Sequence, residues 1–198
     1  MRGEAMSALV SVLERPLPKI RVQAAAGALA VASAVVLPQI VHWAGAMMGV
    51  GTGLGEMLLP MHLPILVVGL LVGPWAGCAA GLLSPLVSFA LSGMPGIPML
   101  PLMVLELGAY GLVAGLVRSA KCPVLLKVIA AQIVGRLVRG FAFCAVSAML
   151  PGVALAILWN TTLAGLPGLV CQWALIPLII MMLDRKAIRQ GEEGLLDA

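Results

Sequence analysis

Residues 61 to 117 read MHLPILVVGLLVGPWAGCAAGLLSPLVSFALSGMPGIPMLPLMVLELGAYGLVAGLV, and Glu106 is the only Asp, Glu, Lys or Arg in this stretch. The whole chain is 62% hydrophobic and 10% charged, with a mean hydropathy of +1.11, whereas an ordinary globular domain is roughly 25% charged. A soluble domain of 198 residues cannot bury so much apolar surface. Long apolar runs without polar alternation cross lipid as helices and not as barrel strands. The sequence therefore predicts an all-α integral membrane protein.

Six apolar runs, separated by glycine, proline or charged residues, predict a single bundle of six transmembrane helices. Their predicted bounds are 20–43, 60–73, 75–91, 99–117, 124–150 and, for a last helix whose start is left open around Pro167, an end at 183. The second run is short for a span of about 20 residues unless it begins near Leu54 or is tilted. The glycine-rich residues 44–58, which include Glu56, are predicted to form a loop or re-entrant segment, a candidate lid. The resulting organisation is an N-terminal cytoplasmic or interfacial segment over 1–19, one membrane domain over 20–184 and a cytoplasmic tail over 185–198.

The basic residues lie beside the ends of the predicted spans. With six spans, both termini, the Gly73–Pro74 turn and the 118–123 connection share one side, which the positive-inside rule places in the cytoplasm. The net charge of +4 is therefore explained by basic residues on the cytoplasmic side of the membrane. Nucleic-acid binding is not expected, because the sequence lacks a basic stripe and interleaved aromatic residues. The apolar run from Val22 to Trp43 exceeds the about 7 to 15 residues of a signal-peptide core. It is expected to remain as the first helix.

Small residues recur at four-residue spacing, which lets membrane helices approach closely. They are Gly69, Gly73, Gly77 and Gly81 in the second and third spans, and Ala24, Ala28 and Ala32 in the first span, beside a second series of Ala26, Ala30 and Ala34. Two interpretations are open for the alanines. They serve internal packing, or they form a smooth face against another membrane subunit.

Two arginines in the fifth span require a partner. Arg136 and Arg139 are three residues apart and share a helical face, and one arginine at mid-span costs about 2.5 to 3.5 kcal/mol on insertion scales. One interpretation is an internal ion pair with Glu106 of the fourth span. The other is that at least one guanidinium binds an anionic group of a ligand, because its planar fork matches carboxylate and phosphate. Further hydrogen bonds to a ligand are available from Gln132, Asn160 and Gln172.

The remaining polar residues do not form a recognisable catalytic or metal-binding pattern. His62 is a candidate ligand contact or helix cap, and a metal site is not expected because no second metal-ligating residue stands at a suitable spacing. Tyr110 and Trp159 are candidates for stacking on a flat ring. The four cysteines lack a CxxC pair and are interpreted as packing residues. No serine lies in a nucleophile-elbow motif and no GxxxxGK[ST] occurs, so neither an enzyme nor an ATPase is predicted.

The segment PMHLPILVVGLLVGPWAGCAAGLLSPLVSF at 60–89, with GMP at 93–95 and ELGAYGLVAGL at 106–116, resembles the substrate-binding S components of energy-coupling-factor (ECF) vitamin transporters. The similarity is to the branch that includes pantothenate-, folate- and cobalamin-type members. GR at 135–136 and GLPG at 165–168 extend it into the last two spans.

The resemblance implies an S component of six helices in a prokaryotic cell membrane. Such a protein captures a vitamin from outside, has no cofactor of its own, and docks on a membrane coupling subunit with two ATPases that use ATP. The implied lid is the region from Gly51 to Glu56, and the implied pocket includes His62, Glu106, Arg136 and Asn160, whereas Arg139 is outside the family pattern. The series with Ala24 and Ala28 is the implied contact with the coupling subunit. We therefore expect a transport subunit for a micronutrient that carries a carboxylate, with a membrane scaffold whose buried Arg and Glu serve assembly as the alternative.

Overall fold

The computed structural model describes residues 13, 16–51, 53–149 and 163–196, and within these ranges the regular structure is entirely helical. The helices are α1 (Ile20–Met47), α2 (Gly53–Leu58), α3 (His62–Val72), α4 (Pro74–Ser92), α5 (Leu100–Leu116), α6 (Val124–Met149) and α7 (Leu166–Leu196). In the described part of the chain, five helical segments are long and apolar enough to cross a membrane, with α2 and α3 counted together as Gly53–Val72. The apolar α5 has 17 residues, at the lower limit of about 17 to 25 residues for a span. The predicted all-α membrane bundle with six spans is confirmed.

The predicted bounds of the third, fourth and fifth spans agree with α4, α5 and α6 to within two residues. The second span begins at Gly53, in agreement with the alternative start near Leu54, because the short α2 continues it beyond a break at residues 59–61. The last helix begins at Leu166 and runs to Leu196, and its apolar, membrane-spanning part ends at Lys186, close to the predicted end at 183.

Residues 44–58, which are predicted to form a loop or re-entrant segment, are mostly helical, so the loop alternative is wrong. Residues 44–47 finish α1, and residues 53–58 form α2. The physical reason lies in close packing: a Cβ on Gly55 would collide with the imidazole of His42, and a Cβ on Gly45 would collide with the backbone of Gly51. These glycines therefore let α2 fold back tightly against α1. In the sequence, such glycines also indicate a loop.

Helix α5 lies at the centre of the bundle, in contact with α3, α4 and α6. A Cβ on Gly77 of α4 would overlap the backbone of Gly111 of α5, and a Cβ on Gly69 of α3 would lie 2.6 Å from the Gly111 carbonyl oxygen. The predicted small-residue packing of the second and third spans is thus an internal contact of three helices. Between α3 and α4 the chain turns at Gly73, whose φ of +118° favours glycine.

The two alanine series of α1 face different ways. Ala30 and Ala34 are buried, with Ala26 beside them, in a cluster that also contains Ala76 and Ala80 of α4. The other series, formed by residues 24, 28 and 32, is exposed on the outside of the bundle. Internal packing is therefore the correct interpretation of the first series and does not account for the second.

The connection between α5 and α6 is held by buried cationic side chains. The Arg118 Nε donates to the carbonyl oxygen of Leu70 at 3.1 Å, and the Lys127 Nζ donates to the carbonyl oxygen of Arg118 at 2.7 Å. Burial lowers the pKa of Arg118, but a guanidinium keeps its charge at any physiological pH. These bonds fix the end of α3 to the start of α6, and they define one end of the bundle.

Candidate ligand-binding site

A cavity of about 230 Å³ opens at the opposite end of the bundle, away from the 118–123 connection. Its walls come from the last turns of α1, from α2 and the break before α3, from the 94–99 segment, and from single side chains of α4, α5 and α6. Most of this wall is apolar. Polar atoms are contributed chiefly by Gln39, His42, Glu56, His62, Ser88 and Arg139.

A buried ion cluster lies behind the cavity and is centred on Glu106, which has no exposed surface. The Arg139 Nη1 donates to Glu106 Oε2 at 3.0 Å, and the Arg136 Nη1 lies 3.2 Å from Glu106 Oε1. The His62 Nε2 is 3.9 Å from the same Oε1, too far for a hydrogen bond. The Glu106 carboxylate therefore pairs with both Arg136 and Arg139. The sequence alone does not determine which of the two arginines pairs with Glu106.

The packing of α6 on α5 sets the position of the arginines. A Cβ on Gly135 would lie 3.0 Å from the ring of Tyr110, so the absence of a side chain there lets the two helices approach. The Tyr110 ring in turn meets the His62 ring edge-on, with centroids 5.1 Å apart. This arrangement brings α3, α5 and α6 together around Glu106.

The two arginines have different surroundings. Arg139 is 7% exposed and lines the cavity, and its Nη2 also lies 4.0 Å from the sulfur of Met99. The guanidinium nitrogens of Arg136 are buried and make no hydrogen bond in the described part of the chain, although the group is within ion-pair distance of Glu106. The cluster combines two guanidinium charges with one carboxylate, so it carries one net positive charge before any contribution from His62. Such a site can bind an anion.

The other predicted site residues lie at the rim of the cavity, in its wall or outside it. Glu56 lines the cavity and is exposed at its rim, and His62 lies in its wall. Gln172 is outside the cavity: its Nε2 donates to the carbonyl oxygen of Leu59 at 3.3 Å, and its Oε1 accepts from Gln132 Nε2 at 3.0 Å. Asn160 and Trp159 lie outside the described residues.

Sequence reasoning missed the contribution of α1 and of the methionines to the cavity. Pro38, Gln39 and His42 line it from α1, and four methionines also line it, namely Met61, Met94, Met99 and Met103. The proline-rich 93–98 segment gave the one available signal, because it had to lie at the same end of the bundle as residues 44–58. Across the described residues, no group of three or more His, Cys, Asp or Glu side chains is placed to hold a metal ion.

Comparison with known proteins gives one finding. A family model described as ECF transporter, substrate-specific component, matches residues 19–180. No curated protein and no solved structure matches the chain.

Proposed function

Because the chain belongs to the substrate-specific components of ECF transporters, we propose that its cavity captures a vitamin or related micronutrient that carries a carboxylate. Family membership makes the chain a transport subunit of the cytoplasmic membrane and not an enzyme. The alternative of a membrane scaffold protein is therefore set aside, and the role of the buried Arg and Glu is decided by the binding test below.

The observation that carries the proposal is the guanidinium of Arg139 in the wall of an otherwise apolar cavity. Ligand sites are mostly apolar, with a few polar groups that fix orientation. A carboxylate placed against this guanidinium would find charge-assisted hydrogen bonds, each worth roughly 1.5 to 3 kcal/mol. Arg139 thereby takes the role that the sequence resemblance gave to Arg136.

The partners follow from the same family. We infer a membrane coupling subunit and two ATPases that hydrolyse ATP on behalf of this chain, which needs no cofactor of its own. The exposed series of Ala24, Ala28 and Ala32 on α1 suits the contact with the coupling subunit, because small side chains let another helix approach closely and slide.

The test has two stages. Mass spectrometry of small molecules that copurify with the detergent-solubilised chain first searches for a carboxylate. Calorimetric titration with carboxylate vitamins and their amides then compares wild type with Arg139→Ala. We expect binding of at least one carboxylate, no binding of its amide, and at least a tenfold loss of affinity in the variant.

Lys121→Ala is the matched control, because it also removes one positive charge but at an exposed position in the 118–123 connection. It should bind as wild type does. If no carboxylate binds to wild type, or if Arg139→Ala binds it equally well, the proposed function is wrong.

A further inference from the structure

We propose that Glu106 is a specificity-determining residue that restricts the ligand to a single negative charge. The inference rests on the proposed function, since it concerns the same cavity and the same class of ligand. It assigns Glu106 a role that acts through the arginines and not through contact with the ligand.

The first step is the position of Glu106. Its side chain is completely buried and does not line the cavity, whereas Arg139 does. Both of its oxygens are already engaged, Oε2 with Arg139 at 3.0 Å and Oε1 with Arg136 at 3.2 Å. Glu106 therefore stands behind the guanidinium that a ligand would meet, and it divides its charge between two arginines.

The second step is a count of charges. Between Arg15 and Asp184 the sequence contains only two acidic residues, Glu56 and Glu106. Glu56 is exposed at the rim, where water screens its charge. The buried cluster thus has two positive charges and one negative charge, and one bound carboxylate would bring it to neutrality.

The third step concerns the free-energy cost of binding a ligand whose net charge is not minus one. In a buried site of low dielectric an uncompensated charge is costly. A dicarboxylate would place a second negative charge in the cavity without a cation to balance it, and a neutral ligand would leave the excess positive charge unpaired.

Substitution of Glu106 by glutamine gives a sharp consequence. Glutamine keeps the shape and one carbonyl acceptor but removes the negative charge, which raises the cluster from one excess positive charge to two. The variant should therefore accept dianions that wild type rejects. Conversely, Arg136→Gln makes the cluster neutral, and it should weaken binding of a monoanion although Arg136 does not line the cavity.

The experiment measures affinities by calorimetry for biotin, pantothenate and nicotinate, each with its neutral amide or alcohol and with an analogue that bears a second carboxylate. For the vitamin that binds, wild type should prefer the monocarboxylate over the dicarboxylate by at least tenfold. Glu106→Gln should reduce this preference at least tenfold or reverse it. Lys121→Gln, which changes one charge at an exposed position in the 118–123 connection, should leave the preference as in wild type.

A double variant distinguishes an effect of charge from an effect of misfolding. Glu106→Gln combined with Arg136→Gln restores one net positive charge, so it should recover the preference for a monocarboxylate. The inference is overturned if Glu106→Gln and the double variant both keep the wild-type preference, or if Lys121→Gln shifts it as strongly. A wild-type chain that binds neither these three vitamins nor any other carboxylate from the copurification search would instead overturn the proposed function itself, and this inference with it.

Discussion

At the scale of single residues, Gly111 has no room for a side chain, because a Cβ there would overlap the backbone of a neighbouring helix. Its missing side chain lets α5 lie backbone to backbone against Gly77 of α4. Gly111→Ala must push the two helices apart, and overpacking of this kind typically costs about 1 to 3 kcal/mol. We expect the unfolding temperature of the detergent-solubilised protein to fall by several degrees, measured by tryptophan fluorescence on heating.

Gly140→Ala is the matched control, because the same substitution on α6 meets no atom of the described residues within 4 Å. Alanine favours the helix over glycine by up to about 1 kcal/mol, so this variant should unfold at the same temperature or higher. An equal loss in both variants would mean that the α4–α5 contact does not limit stability.

The ion cluster shows what residue patterns predict and what they leave undetermined. The three-residue spacing of Arg136 and Arg139 predicts a shared face, and both guanidinium groups reach Glu106. An ion pair with Glu106 is one of the two interpretations that the sequence leaves open. Which arginine reaches the cavity depends on the rotation of α6 about its axis. That rotation is set by Gly135 packing on the Tyr110 ring, a contact between residues of different helices that no local pattern encodes.

At the scale of elements, the short helix α2 is attached to α7 at its C-terminal end. Gly168 packs on the backbone of Leu58, and Gln172 donates to the Leu59 carbonyl oxygen. A hydrogen bond of this kind contributes about 0.5 to 1.5 kcal/mol. Gln172→Leu should therefore speed amide exchange across residues 53–58 several-fold without affecting α4, as measured by hydrogen exchange and mass spectrometry.

Trp173→Phe provides the control for this prediction. It removes the bond from Trp173 Nε1 to Gln132 Oε1, which is 2.6 Å long, but keeps the bond between Gln172 and Leu59. Exchange in α2 should then stay close to that of wild type. If Trp173→Phe loosens α2 as much as Gln172→Leu does, the attachment depends on the wider network and not on this bond.

Sequence predicted the long elements better than the short ones. Apolar runs bounded by Gly73–Pro74, by the 92–98 breakers or by the charges at 118–121 gave the bounds of α4, α5 and α6 closely. The glycines around residue 50 were ambiguous, because glycine serves both flexible turns and close helix contacts. The choice between these uses depends on what packs there, in this case His42 against Gly55.

At the scale of the whole molecule, the exposed alanine series gives a prediction about assembly. Ala24→Trp together with Ala28→Trp should abolish copurification of the coupling subunit, because two indoles prevent close approach. The isolated chain should keep its unfolding temperature and its ligand binding, since both positions are exposed and lie far along α1 from the cavity.

Leu29→Trp is the control on the same helix, where a large side chain is already 69% exposed and points roughly 140° away from Ala24. This variant should assemble normally. Assembly by the double variant would place the docking surface elsewhere on the molecule.

The identity of the molecule was accessible from sequence, whereas its ligand was not. The segment from Pro60 to Val117 suggested an S component, and the family model confirms it over residues 19–180. The branch within the family remains a prediction. Shape and polarity of the cavity come from five separate parts of the chain, and their joint geometry cannot be obtained from any one of them.

The shared ion cluster also has a consequence for how the protein is made. Two arginines near the middle of α6 raise the cost of inserting that helix by about 5 to 7 kcal/mol on translocon scales, and their only counter-charge in the cluster is on α5. Since α5 leaves the ribosome first, Glu106 is already in the bilayer when α6 arrives, and it can offset part of this cost. Membrane integration of α6 is therefore expected to depend on α5. The order of synthesis, with α5 before α6, favours correct assembly of the bundle.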